Sequence, residues 1–271
     1  MQALPLSAFF LFFEIAVGGV IALFLVHLRG EVSRGFTLFT GWGCWLCVAL
    51  ALGLRIAFPP ALGAFDRMAE LWFAAERALS VAFALLLGSY LLALQVGRAG
   101  AAQLLAPVVP LVGLGALWSA SLVQPSPQLG GLGAPLAVLA GSLSLGSAMA
   151  GLSLGHWYLV APTLSVRPLI RLTFLCLGAI VAQLVLLPAL LLLVGTAAPR
   201  VASLFGEYAL FFSVRVLFGL LVPFAATVMV WRTARIRSLD SATGLLYVVA
   251  TLILAGEIIA RSLFVLTGVA T

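Results

Sequence analysis

The sequence predicts an all-α fold: a single polytopic membrane domain spanning residues 1–271, built from eight transmembrane helices with both termini on the outer side. Three observations predict it. Hydrophobic residues make up 64% of the chain and charged residues only 8%, where soluble domains carry about a quarter charged. Mean hydropathy is +1.25. The apolar residues fall in continuous runs of about 20, long enough to cross a bilayer as a helix, and not in the alternating ten-residue segments of a membrane barrel. A helix satisfies its own backbone hydrogen bonds, which lipid cannot do.

The first run, Leu4–Leu28, follows a start with no basic region and no small-residue cleavage pattern, so it reads as a retained helix and not a removed signal peptide. The second, Phe36–Phe58, stops at Pro59 and contains Cys44-Trp45-Leu46-Cys47. That spacing lacks a second cysteine pair to complete a thiolate cluster, so these thiols read as small packing groups and no metal site is expected. The third and fourth runs are Leu71–Gln95 and Leu104–Val123. The fifth, Ala134–Val160, is rich in small residues (Gly141, Ser144, Gly146, Ser147, Gly151, Gly155), which predicts close helix packing inside the bundle. The sixth and seventh, Leu169–Val194 and Glu207–Trp231, contain Pro188 and Pro223, each expected to kink its helix. Thr243–Gly268 is the eighth. The connecting loops are short, so sequential helices run antiparallel and leave no room for a soluble domain. No internal repeat of the kind that builds many transporters is visible.

All basic charge comes from arginine, giving a net +6 with no lysine. The odd-numbered loops and their margins hold Arg29, Arg34, Arg98, Arg167, Arg171, Arg232, Arg235 and Arg237, whereas the other side holds only Arg67 and Arg200. By the positive-inside rule the odd loops are cytoplasmic. No basic segment is long enough to form a nucleic-acid surface, so no nucleic-acid partner is expected.

Function is sought where charge lies inside an apolar run, because a charge at mid-bilayer costs roughly 2.5 kcal/mol or more and is kept facing a bundle interior or a pathway. Glu257 and Arg261 are one helical turn apart, acid before base, as a helix pair prefers. Glu14 has no basic neighbour in its own helix, and Arg215 or Arg261 could meet it across the bundle. Glu76, Arg77 and Arg55 lie toward the same outer side. At about 1.5 Å per residue these charges crowd into the outer leaflet. The crowding predicts a polar chamber there, able to hold a small amphipathic ligand and relay protons. His27 and His156 instead lie near inner helix ends, where two axial ligands for a b-type haem are the alternative reading.

Two stretches carry a family resemblance: Phe9-Phe10-Leu11-Phe12-Phe13-Glu14-Ile15-Ala16-Val17-Gly18-Gly19 and Gly256-Glu257-Ile258-Ile259-Ala260-Arg261-Ser262-Leu263-Phe264. They resemble the membrane anchor subunits of DMSO reductase and polysulphide reductase, eight-helix proteins of this size that bind quinol without a redox cofactor of their own. The resemblance implies a quinone-interacting subunit of a respiratory oxidoreductase in the cell's inner membrane. Its ligand would be menaquinone or ubiquinone, and its partner an iron–sulphur or haem-bearing subunit, because the chain offers no iron–sulphur ligand set. Glu14 would carry protons, with Arg77, Arg215, Glu257 and Arg261 lining the quinone chamber. A b-type cytochrome and a non-redox transporter or scaffold are the competing classes.

Overall fold

The computed structural model describes residues 3–60, 67–124, 126, 128–161, 163–194 and 198–271. Met1 and Gln2, and parts of four expected loops (61–66, 125 and 127, 162, 195–197), lie outside the described residues. Every regular element among the described residues is helical. The helices are α1 Ala3–His27, α2 Arg34–Ala57, α3 Arg67–Val96, α4 Ala99–Leu105, α5 Val108–Leu122, α6 Gly133–Val160, α7 Arg167–Val194, α8 Pro199–Phe205, α9 Ala209–Val216, α10 Val222–Arg235 and α11 Leu239–Thr267. They make eight spans long and apolar enough to cross a membrane.

Local chemistry explains several of the ends. Ser33 caps α2 by accepting the Phe36 amide at 3.2 Å. Gly268 closes α11 in the left-handed region, at φ 72°, with its amide bonded to the Phe264 carbonyl. Gly97, at φ 82°, turns the chain from α3 into α4.

Four elements depart from the expected continuous helices and irregular loops. The fourth span is broken, α4 ending before Pro107 and α5 starting after it, because proline lacks the amide that would carry the ladder through. The seventh span is α9 and α10 joined by a π-helical turn, Leu217–Leu221, immediately before Pro223. Widening the helix there accommodates the proline ring against the preceding turn. By contrast α7 runs through Pro188 as one helix. The loop before α9 folds into the short helix α8, and a 3-10 turn, Gln128–Gly131, precedes α6.

α1 and α6 form the centre of the bundle. Of their most apolar windows 78% and 67% are buried, against 28% to 50% in the other spans. They touch backbone to backbone: a Cβ on Gly18 would lie 1.8 Å from the Ser142 carbonyl oxygen, and one on Gly146 2.0 Å from the Gly18 carbonyl carbon. The small residues of α6 therefore pack inward, against α1 at Gly146 and against Thr243 of α11 at Gly155. On the other side of α1, Phe13 meets Phe83 edge-on at 6.3 Å and Phe10 meets Phe264 at 6.4 Å. After α11 the chain is held by Gln128, whose side chain accepts the Ala270 amide at 2.6 Å and donates to the Ala270 carbonyl at 3.2 Å.

Candidate functional site

Four buried charges join at the centre of the bundle. Glu14 of α1 meets Arg261 Nε of α11 at 2.9 Å, and Arg261 Nη2 meets Glu257 Oε2 at 2.9 Å. Glu257 Oε1 lies 3.3 Å from Arg215 Nη2 of α9. The same Arg215 nitrogen donates to Gln183 of α7, and Gln183 Nε2 donates to Ser144 Oγ of α6 at 2.8 Å. The signs alternate along this chain of five helices, and each charged side chain is at most 1% exposed. With all four ionised the network is neutral, which offsets the cost of burying any one member.

Glycine makes the space. A Cβ on Gly141 of α6 would sit 2.6 Å from Glu257 Oε2 and 2.8 Å from Arg261 Nη2. Gly256 of α11 approaches Gly219 of the π turn so closely that a Cβ there would lie 2.5 Å from the Gly219 Cα. Arg215 enters beside this contact, its Nη1 3.2 Å from the same built Cβ. Hydrogen bonding is nevertheless incomplete: Glu14 Oε2, Arg215 Nε and Nη1, and Arg261 Nη1 are buried with no hydrogen-bond partner among the described residues. Buried polar groups are rarely left so, and ordered water is the usual partner.

The structure does not bring all the outer-side charges together. Arg55 of α2 and Glu76 of α3 make a separate bidentate pair, with Arg55 Nε to Glu76 Oε1 at 2.6 Å. The Arg55 guanidinium also stacks over Phe9 at 4.5 Å and Phe73 at 5.2 Å. Arg77 is exposed and lies over Phe73 at 4.9 Å. It points away from the buried Arg55–Glu76 pair because the residue after Glu76 is about 100° round the helix.

A large cavity formed by described residues lies elsewhere. About 620 Å³ in volume, it lies between α1, α2 and α6, lined by Ile15, Gly19, Thr40, Trp42, Gly43, Cys44, Cys47, Met149 and Ser153 among others. Phe39 and Leu46, on its rim, are 66% and 56% exposed, so it opens on the lipid-facing side. No charged residue lines it. The charges expected to line one chamber are in contact with one another, and the cleft lies on the next face of α1.

His27 and His156 are not arranged as a haem pair. His27 Nδ1 is 3.1 Å from Thr37 Oγ1 and its ring meets Tyr90 edge-on, while His156 is exposed. Neither lines the cleft. Cys44 and Cys47 are free thiols on the cleft wall, and no group of three metal-ligating side chains occurs among the described residues.

No family model and no curated protein matches the chain. Of the residues singled out in the sequence, Glu14, Arg215, Glu257 and Arg261 meet in one network. Gln183 and the polar role of Ser144 were missed. An uncharged amide in the middle of an apolar run was the available signal for Gln183, since it too is costly to leave unpaired in lipid.

Proposed function

We propose that the chain is a quinone-binding membrane subunit of a respiratory oxidoreductase in the inner membrane, its arginine-rich loops cytoplasmic and both termini outside. The observation that carries this reading is the lipid-open cleft. Quinone pools diffuse in the bilayer, and a planar ring with an isoprenoid tail needs an apolar slot entered sideways from lipid. About 620 Å³ accommodates the ring, and the tail would leave between Phe39 and Leu46.

Reducing a quinone takes two electrons and two protons. The electrons come from an iron–sulphur or haem-bearing partner. Thr40 and Ser153 supply hydroxyls to orient the ring carbonyls, and Trp42 offers an aromatic wall. Glu14 lies beside Ile15 of the cleft wall, on the adjacent face of α1, and serves as proton carrier. Arg261 and Arg215 hold that carboxyl in a net-neutral setting, so that taking up a proton changes the charge of the whole network. The alternative of a b-type haem does not fit, since an exposed His156 and a Thr37-bonded His27 present no common slot.

A photoreactive quinone analogue should label α2 between Trp42 and Cys47, and Gly43→Trp should abolish the labelling. Gly43 suits this test because it lines the cleft and a Cβ there would meet nothing within 4 Å. Unchanged labelling in Gly43→Trp, or none in the wild type, removes the reading. Orientation is tested by a single cysteine at Ser238, with Cys44, Cys47 and Cys176 replaced by alanine. An impermeant thiol reagent should reach it only in permeabilised cells, and labelling in intact cells reverses the topology.

A further inference from the structure

The Gln183 end of the network continues into a seam of buried polar side chains that the ligand cleft does not use. From Gln183 the contact passes to Ser144 Oγ at 2.8 Å, and Ser147 lies one turn further along α6, donating to the Ser144 carbonyl at 3.1 Å. Across the seam the Cys176 thiol of α7 sits against the hydroxyls of Ser147 and Thr227. It also reaches the Ser144 carbonyl at 3.7 Å. Thr173 comes one turn along α7. All five of these side chains beyond Gln183 are nearly inaccessible, at most 4% exposed. Thr173, Cys176 and Gln183 fall on one stripe of α7, since offsets of three and ten residues return to the same face.

The direction of the seam is set by the helix ends. Gln183 is roughly 24 Å from the Arg167 end of α7, while Thr173 is only about 9 Å from it at 1.5 Å per residue. At that end Arg171 pairs with Glu31, and Tyr158 donates to the Ser165 carbonyl at 2.6 Å. The seam thus runs from within about 9 Å of the arginine-rich end of α7 to the charge network, through the interior of α6, α7 and α10. Serine and threonine hydroxyls commonly bond their own helix backbone, as Thr173 and Thr227 do at 2.8 and 2.6 Å. Such bonds use the hydroxyl proton and leave its acceptor lone pairs free. Helix packing does not require these groups to meet across three helices and terminate on Arg215, whose Nε and Nη1 have no partner among the described residues.

We infer that this seam is the proton path from the arginine-rich side to the Glu14–Arg261–Glu257–Arg215 network. It would be completed by water molecules between the hydroxyls. This rests on Glu14 as proton carrier but not on where a quinone binds. The proton moves by exchange along O–H groups and water, with no bond to carbon formed and no electron transferred.

The test is hydrogen–deuterium exchange of the Glu14 carboxyl, read by infrared spectroscopy of the purified protein in lipid across a pH titration. Its protonated carbonyl band is assigned by its loss in Glu14→Gln. Ser147→Val and Thr227→Val should each slow the deuterium shift of that band at least tenfold. Thr243→Val, a buried hydroxyl against Gly155 and off the seam, should leave it within twofold. Circular dichroism and thermal unfolding establish that each variant is folded, and a seam variant that fails to fold is replaced by Ser147→Ala, with the same slowing expected. Wild-type exchange in the folded seam variants overturns the path, as does equal slowing in Thr243→Val or the absence of any Glu14 band. Failed quinone labelling with slowed exchange in the seam variants would sink the ligand reading and leave the path standing.

Discussion

Among the described residues two sets of ion pairs are buried, and they are built in opposite ways. Arg55 and Glu76 close on each other through two hydrogen bonds, with aromatic rings over the guanidinium, and touch only their own neighbourhood between α2, α3 and the start of α1. The Glu14, Arg261, Glu257 and Arg215 set is open: it branches across the bundle, continues into Gln183, and leaves polar atoms without partners among the described residues. The difference teaches that burial of charge alone does not mark a functional site. A self-contained pair is a strut, even though Arg55 Nη1 also lacks a partner among the described residues, whereas a network that branches across several helices can pass on a proton or a water molecule.

The comparison is broken most directly at Arg261. Arg261→Met leaves Glu14 and Glu257 buried without their shared partner, and unfolding followed by tryptophan fluorescence in detergent should show a loss of about 3–5 kcal/mol. A loss as small as that of a surface substitution would mean the network is not a unit. A double-mutant cycle of Glu257→Gln and Arg261→Met should give a coupling of roughly 0.5–3 kcal/mol, because they share a contact at 2.9 Å. Additivity would dissolve the pair. The closed clamp should behave otherwise: Arg55→Met together with Glu76→Leu should stay within about 1 kcal/mol of the wild type, since an apolar pair of similar size can replace a closed ion pair. If that double variant unfolds as readily as Arg261→Met, the two sets do not differ in kind. Arg77→Ala, on an exposed side chain, should shift stability by no more than about 0.5 kcal/mol and leave quinone labelling intact.

The eight spans were legible in the sequence because length and apolarity are properties of a run of residues and need no knowledge of neighbours. The pairing of Glu257 with Arg261 was legible too, since it lies within one helix. What the sequence could not give was azimuth. Depth along a helix comes from counting, but whether Glu76 faces Glu14 or Arg55 depends on how α2 and α3 are rotated. Glu14 apart, α1 is apolar or small on every side, and no apolar stripe on α1 or α6 says which face meets the cleft. The break at Pro107 was hidden because its flanks remain apolar, so hydropathy alone reads straight across it.

The π turn at Leu217–Leu221 has a consequence for phase. A π turn holds more residues than the α-helical turn it replaces, so it changes the angular relation between the helical segments on its two sides. Arg215 lies before it and Thr227 after it, one aimed at the charge network and the other at the seam. In an uninterrupted α-helix these positions, twelve residues apart, would point about 120° away from each other. The wide turn acts as a vernier, letting a single transmembrane span present both side chains to the bundle interior while its exposed surface stays largely apolar.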